Sequence, residues 1–71
     1  MKIDATCKDA NGVEATVTVD LDYVSDEDEA REWIIEELYS WSLKNAKSFD
    51  TAKFEVANWN DIAQEIRATY S

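Results

Sequence analysis

The sequence contains no histidine, a single cysteine and only seven Lys and Arg residues. Without His there is no Ser-His-Asp or Cys-His machinery and no imidazole to hold a metal. Cys7 alone can form no internal disulfide and cannot supply a structural zinc site. No apolar run reaches the roughly 18 residues that suggest a membrane span. The opening segment MKIDATCKDANG lacks the apolar stretch of a secretory signal. These absences set the expectation of a cytoplasmic, non-enzymatic protein that uses no cofactor.

What is present points to one small folded domain over residues 1–71. Hydrophobic residues make up 45% of the chain, Trp33, Trp41 and Trp59 among them, which argues against disorder despite a net charge of −9. A chain of this length buries only about 60% of its unfolded surface, so its core must be economical.

Two segments alternate with the period of a half-buried strand. Ile3, Ala5 and Cys7 share one side of the first, and Val13, Ala15, Val17, Val19 and Leu21 share one side of the second. A two-residue Asn11-Gly12 turn would pair Cys7 with Thr16 and so mix core with solvent. A three-residue loop, Ala10-Asn11-Gly12 with Gly12 left-handed, pairs Cys7 with Ala15, Ala5 with Val17 and Ile3 with Val19. The same register sets Lys8 opposite Glu14, Thr6 opposite Thr16, Asp4 opposite Thr18 and Lys2 opposite Asp20, so both faces select it.

Ser25 is expected to cap a helix over about residues 26–44, with Asn45 as its left-handed stop. Ala30, Ile34, Leu38 and Trp41 fall on one side of that helix. Residues 51–57 alternate again, with Ala52, Phe54 and Val56 apolar, and predict a third strand. Asn58 is expected to cap a second helix whose buried stripe is Trp59, Ile62, Ala63, Ile66 and Tyr70. The predicted class is α+β in the order ββαβα. Its three-stranded antiparallel sheet runs 2-1-3, with two helices packed on one face.

The charge is lopsided. Residues 20–37 hold nine carboxylates against Arg31 alone. Acids at a helix start favour the dipole, which accounts for Asp26, Glu27 and Asp28. It does not account for Glu32, Glu36 and Glu37, because like charges three and four apart repel by a few tenths of a kcal/mol per pair. Glu29, Glu32 and Glu36 project from one ridge, a row of anions of the kind a basic nucleic-acid-binding groove accepts. The candidate partner-binding residues are therefore Asp22, Asp26, Asp28, Glu29, Glu32 and Glu36, with Tyr39 as an apolar grip.

The alternative is a protein interaction module or homodimer that associates through Trp33, Ile35, Tyr39 and Leu43, its acidity serving solubility only. Direct nucleic-acid binding is disfavoured, since phosphate repulsion dominates for a chain this acidic. The run Asp20-x-Asp22-x-x-x-Asp26-x-Asp28 lacks the glycine and twelve-residue spacing of an EF-hand, so no specific metal site is expected. Cys7, on the apolar side of the central strand, reads as a small hydrophobe.

With its compact single domain, its lack of catalytic residues and its acid run from Asp20 to Glu37 with aromatics set among it, the chain resembles the small acidic anti-defence proteins of phages and mobile elements. Among these it is most similar in character to anti-CRISPR proteins and anti-restriction DNA mimics. The resemblance implies an inhibitor that occupies the basic nucleic-acid-binding surface of a CRISPR effector in the host cytoplasm. Residues 38–71 are nearly neutral and the hairpin bears Lys2 and Lys8, which favours a local acidic patch over mimicry of a full duplex.

Overall fold

The computed structural model describes residues 1–70, and the side chains of residues 1–69. Its elements are β1 (Lys2–Asp9), β2 (Glu14–Asp20), a single 3₁₀ turn (Leu21–Tyr23), α1 (Glu27–Asn45), β3 (Phe54–Val56) and α2 (Trp59–Tyr70). The strands form one antiparallel sheet in the order β2-β1-β3, as expected. Ala5, Cys7, Ala15, Val17 and Val19 are buried on one face of this sheet, whereas Lys2, Asp4, Thr6, Lys8, Glu14, Thr16 and Thr18 are exposed on the other. Both helices therefore cover the same face.

The hairpin adopts the expected register along its whole length, from Lys8 opposite Glu14 to Lys2 opposite Asp20. Gly12 turns the loop with φ +85°, a conformation costly to residues bearing a Cβ. Asp9 holds the loop shut. Its Oδ1 accepts the Asn11 and Val13 N–H groups at 2.9 and 2.8 Å, and its Oδ2 accepts that of Asp50 at 3.0 Å. The hairpin loop is thereby tied to the chain that enters β3.

Ala30, Ile34 and Leu38 are fully enclosed between α1 and the sheet. Burying an aliphatic side chain of the size of Ile34 or Leu38 is worth about 1.5–3 kcal/mol. The ends of α1 lie one residue beyond the expected caps. Asp26, not Ser25, is the N-cap and accepts the Glu29 N–H at 2.8 Å, while the Ser25 hydroxyl donates to the Glu29 carboxylate at 2.8 Å. Ala46, not Asn45, takes the left-handed conformation at the C-terminus (φ 51°, ψ 40°). Asn45 stays helical, its side-chain amide donating to the Trp41 carbonyl at 2.9 Å, and Lys47 N–H closes the end on the Ser42 carbonyl at 3.2 Å.

The third strand is shorter than predicted, because Asp50 folds residues 51–53 into a turn. Its side chain accepts the Ala52 N–H at 3.0 Å, and its carbonyl accepts that of Lys53 at 3.4 Å. Ala52 is exposed as a result, while Phe54 is buried and Val56 packs at the margin of the core. Phe54, Phe49 and Trp41 form an edge-to-face chain, with ring centroids 5.8 and 6.2 Å apart.

Asn58 is diverted from its expected capping role. Its carbonyl backbone accepts the first helical bond, from Ile62 N–H at 3.3 Å, but its side chain turns to β1. There Oδ1 accepts the Thr6 N–H at 3.1 Å and Nδ2 donates to the Asp4 carbonyl at 2.6 Å. The amide thus continues the β3 ladder beyond the backbone of β3 itself. Ile62, Ala63 and Ile66 of α2 are buried as expected, with Trp59 partly so. The side chain of Tyr70, the last member of that stripe, lies outside the described residues.

Candidate functional site

The acid-rich stretch runs from the end of β2 through the 3₁₀ turn to the middle of α1. Its members divide by what their carboxylates do. Asp20 Oδ1 accepts the Asp22 N–H at 3.0 Å and lies 3.3 Å from the amino terminus. The Asp22 N–H bond, followed by that terminus, lowers the Asp20 pKa. Asp22 lies 2.7 Å from the amino-terminal ammonium, whose own pKa is raised chiefly by Asp22. Asp26 is engaged as the α1 cap, Glu29 accepts the Ser25 hydroxyl, and Glu27 pairs with Arg67 of α2 at 3.3 Å.

Asp28, Glu32, Glu36 and Glu37 are different. All four are exposed, and among the described residues no Lys or Arg nitrogen lies within 4.0 Å of their carboxylates. Because α1 is unbroken, helical geometry places Asp28, Tyr39, Glu32, Leu43, Glu36 and Glu29 in one sector of about 100°, opposite Ile34. Glu29, Glu32 and Glu36 span about 10.5 Å along the axis at 1.5 Å per residue. A DNA strand carries one phosphate per roughly 3.4 Å, so the ridge is sparser than a nucleic-acid backbone and suits a local contact.

Arg31, the only cation among residues 20–37, does not relieve this ridge. Its guanidinium carbon lies 4.6 Å from the centroid of the Phe54 ring, on the side of α1 that meets β3. The apolar side chains in the acidic sector are open to solvent. Leu43 is 85% exposed and Tyr39 54%, with the Thr51 hydroxyl donating to Tyr39 Oη at 3.4 Å. Of the other two residues considered for an apolar interface, Ile35 packs against the core and Trp33 is 43% exposed.

The structure therefore brings Asp28, Glu29, Glu32, Glu36 and Tyr39 onto one outward face. It sets Asp22 apart, against the amino terminus, and places Asp26 at the end of the helix. Among the described residues, no three His, Cys, Asp or Glu side chains converge as a group able to hold a metal ion. Among the same residues, no helix is long and apolar enough to cross a membrane.

Sequence reasoning missed Tyr23, which is 71% exposed beside Trp33 and Glu37 at the margin of β2. The available signal was the predicted strand order, which leaves β2 at the edge of the sheet. It also missed Asp9, although Asp opening a tight turn before Asn-Gly commonly ties its carboxylate to the backbone. Comparison with protein families, curated proteins and solved structures found no match to this chain.

Proposed function

We propose that this chain is a non-enzymatic inhibitor whose acidic α1 face occupies a basic nucleic-acid-binding surface of another protein, a defence effector of the CRISPR kind. One observation carries the reading. Glu32 and Glu36 stand exposed and unpaired by any Lys or Arg among the described residues, while the one nearby cation, Arg31, is committed to Phe54. A helix that needed only solubility gains nothing from such spacing, since repulsion between Glu32 and Glu36 weakens it by a few tenths of a kcal/mol. Cationic side chains of a partner would remove that repulsion. Tyr39 and Leu43 would add apolar contact within the charged face, charge governing the rate of encounter and the apolar contacts slowing release.

The high exposure of Leu43 and Tyr39 also favours a second reading, an apolar protein interface in which the acids only flank the contact. Affinity capture from cells that carry defence systems separates the two. The full chain is expected to retain a cationic nucleic-acid-binding protein at low ionic strength and to release it at high salt. The triple variant Glu29→Lys, Glu32→Lys, Glu36→Lys should retain none while keeping its fold. Undiminished capture by that variant would overturn the acidic-face reading, and capture indifferent to salt would favour the apolar interface.

A further inference from the structure

A second surface, on the opposite flank of α1 from Arg31, points to a different mode of binding. In the order β2-β1-β3, the outer edge of β2 has no neighbouring strand. The Asp9 N–H bond to the Val13 carbonyl (3.0 Å) and the Leu21 N–H bond to the Met1 carbonyl (2.7 Å) fix which residues of β2 face β1. Those are the odd-numbered ones, so Glu14, Thr16, Thr18 and Asp20 direct their N–H and C=O groups outward.

Proteins commonly protect such edges with short strands, bulges, proline or lysine. The opposite edge of the sheet is protected in this way: β3 has three residues and runs into the Asn58 side chain at one end and the Asp50 turn at the other. β2 has seven residues, pairs without a bulge and contains neither proline nor lysine. Its centre, Ala-Thr-Val-Thr-Val, is uncharged.

A groove runs between that edge and α1. It consists of two open cavities, of about 370 and 300 Å³, that share Glu37 and Thr18 in their walls. Tyr23, Trp33 and Lys2 line one end, Trp41 and Lys44 the other, with Glu37 between the two lysines. Glu37 has no Lys or Arg partner within 4.0 Å among the described residues.

We propose that the β2 edge and this groove take an extended cationic segment of a partner protein as a fourth strand. Main-chain groups at Thr16 and Thr18 would supply the ladder. A guest residue beside Val19 would project between Trp33, Tyr23 and Glu37, which suits the long apolar stem and cationic head of Arg or Lys. On the outer face the guest would run past Thr16 and Thr18, since Glu14 and Asp20 already face Lys8 and Lys2 across the hairpin and Asp20 meets the amino terminus at 3.3 Å. A second copy of this chain is the poorer occupant. Two-fold pairing of β2 centred on Val17, the register that engages all four outward residues, sets Glu14 opposite Asp20 at both ends, and every register brings together chains that each carry −9. This surface meets the Glu32 and Glu36 ridge only at Trp33, which lines a cavity on each side, and the proposal does not rest on the function assigned to that ridge.

The test is selection of a random display library of linear peptides about twelve residues long on the full chain, followed by binding to variants. Thr16→Pro removes one outward N–H but none used by β1, and Glu37→Lys leaves the strand intact. Enriched peptides should carry spaced Lys or Arg, bind each variant about tenfold or more weakly, and slow amide exchange at Thr16 and Thr18. They should bind the Glu29, Glu32, Glu36 triple variant with no such loss, which separates this proposal from the function assigned to the ridge. Failure to enrich any peptide, binding to Thr16→Pro and Glu37→Lys as tight as to the parent, or perturbation confined to the Glu29–Glu36 ridge would overturn the proposal. Concentration-dependent dimers that protect Thr16 and Thr18 without peptide would overturn it in favour of self-association.

Discussion

The Arg31 guanidinium lies over the Phe54 ring, 4.6 Å from its centroid, and joins the N-terminal third of α1 to the shortest strand of the sheet. The cation is thereby removed from the glutamates of its own helix. A planar guanidinium stacks on a ring better than an ammonium does. Arg31→Lys is expected to lower stability by about 0.5 kcal/mol and Arg31→Ala by about 1 kcal/mol, as read from urea midpoints. A midpoint unchanged in Arg31→Ala would show that the contact contributes nothing.

The acidic ridge carries the opposite expectation. Replacing Glu32 and Glu36 by Gln removes repulsion across one helical turn and should stabilise the chain by roughly 0.3 kcal/mol at low salt. The gain should vanish near about 1 M salt, where screening acts within a few ångströms. The same pair of substitutions should weaken capture of a cationic partner. Stability and binding would then move in opposite directions, which a purely solubilising role for these glutamates does not predict.

Asp9 makes the fold sensitive to acid. Its N–H donors, that of Asp50 foremost and then those of the hairpin loop, hold its carboxyl below the usual carboxylate range. A pKa depressed by folding contributes stability above the unfolded value and loses it as pH falls through that range. Asp9→Asn should unfold at lower urea than the parent at neutral pH, because an amide NH₂ then faces backbone donors. That deficit should shrink as the pH is lowered. Some acid sensitivity should persist through Asp20, whose carboxyl is depressed by the Asp22 N–H. At alkaline pH, loss of the amino-terminal charge should release its contacts with Asp20 and Asp22, since that amine is raised by them.

Asn58 bridges Thr6 and Asp4 with both ends of its amide. Asn58→Ala should cost about 1 kcal/mol in thermal or urea unfolding, the usual net worth of such bonds. Asn58→Asp should recover little of this. Its carboxylate can still accept from Thr6 N–H, but it opposes the Asp4 carbonyl where the amide had donated. Faster amide exchange at Thr6 in Asn58→Ala would locate the effect.

Some of this architecture was legible in the sequence, for reasons that differ by element. The hairpin register followed because two faces each constrained it: Cys7 with Ala15 in the core, and Lys8 with Glu14 outside. The helix ends were harder. Ser25 and Asp26 are both good caps, and the choice depends on which oxygen reaches the Glu29 N–H once the chain has left the Tyr23 turn. Ala46 is left-handed against its own preference, in a conformation that lets its own N–H and that of Lys47 close the helix on the Ser42 carbonyl. The length of β3 depended on Asp50, whose role as a turn former is fixed by Asp9, 41 residues away. The acidic ridge was visible because helical spacing alone determines it. The groove beside β2 was not, because it arises where a strand edge and a helix flank meet only in the assembled fold.

Cys7 lies at the centre of the sheet with no exposed surface, and burial pushes its thiol up to about 11. No alkylating reagent can reach that sulfur until the helices part from the strands. As the sole thiol of the chain, it makes the rate of chemical labelling a direct clock for opening of the whole molecule, with no introduced dye and no altered residue.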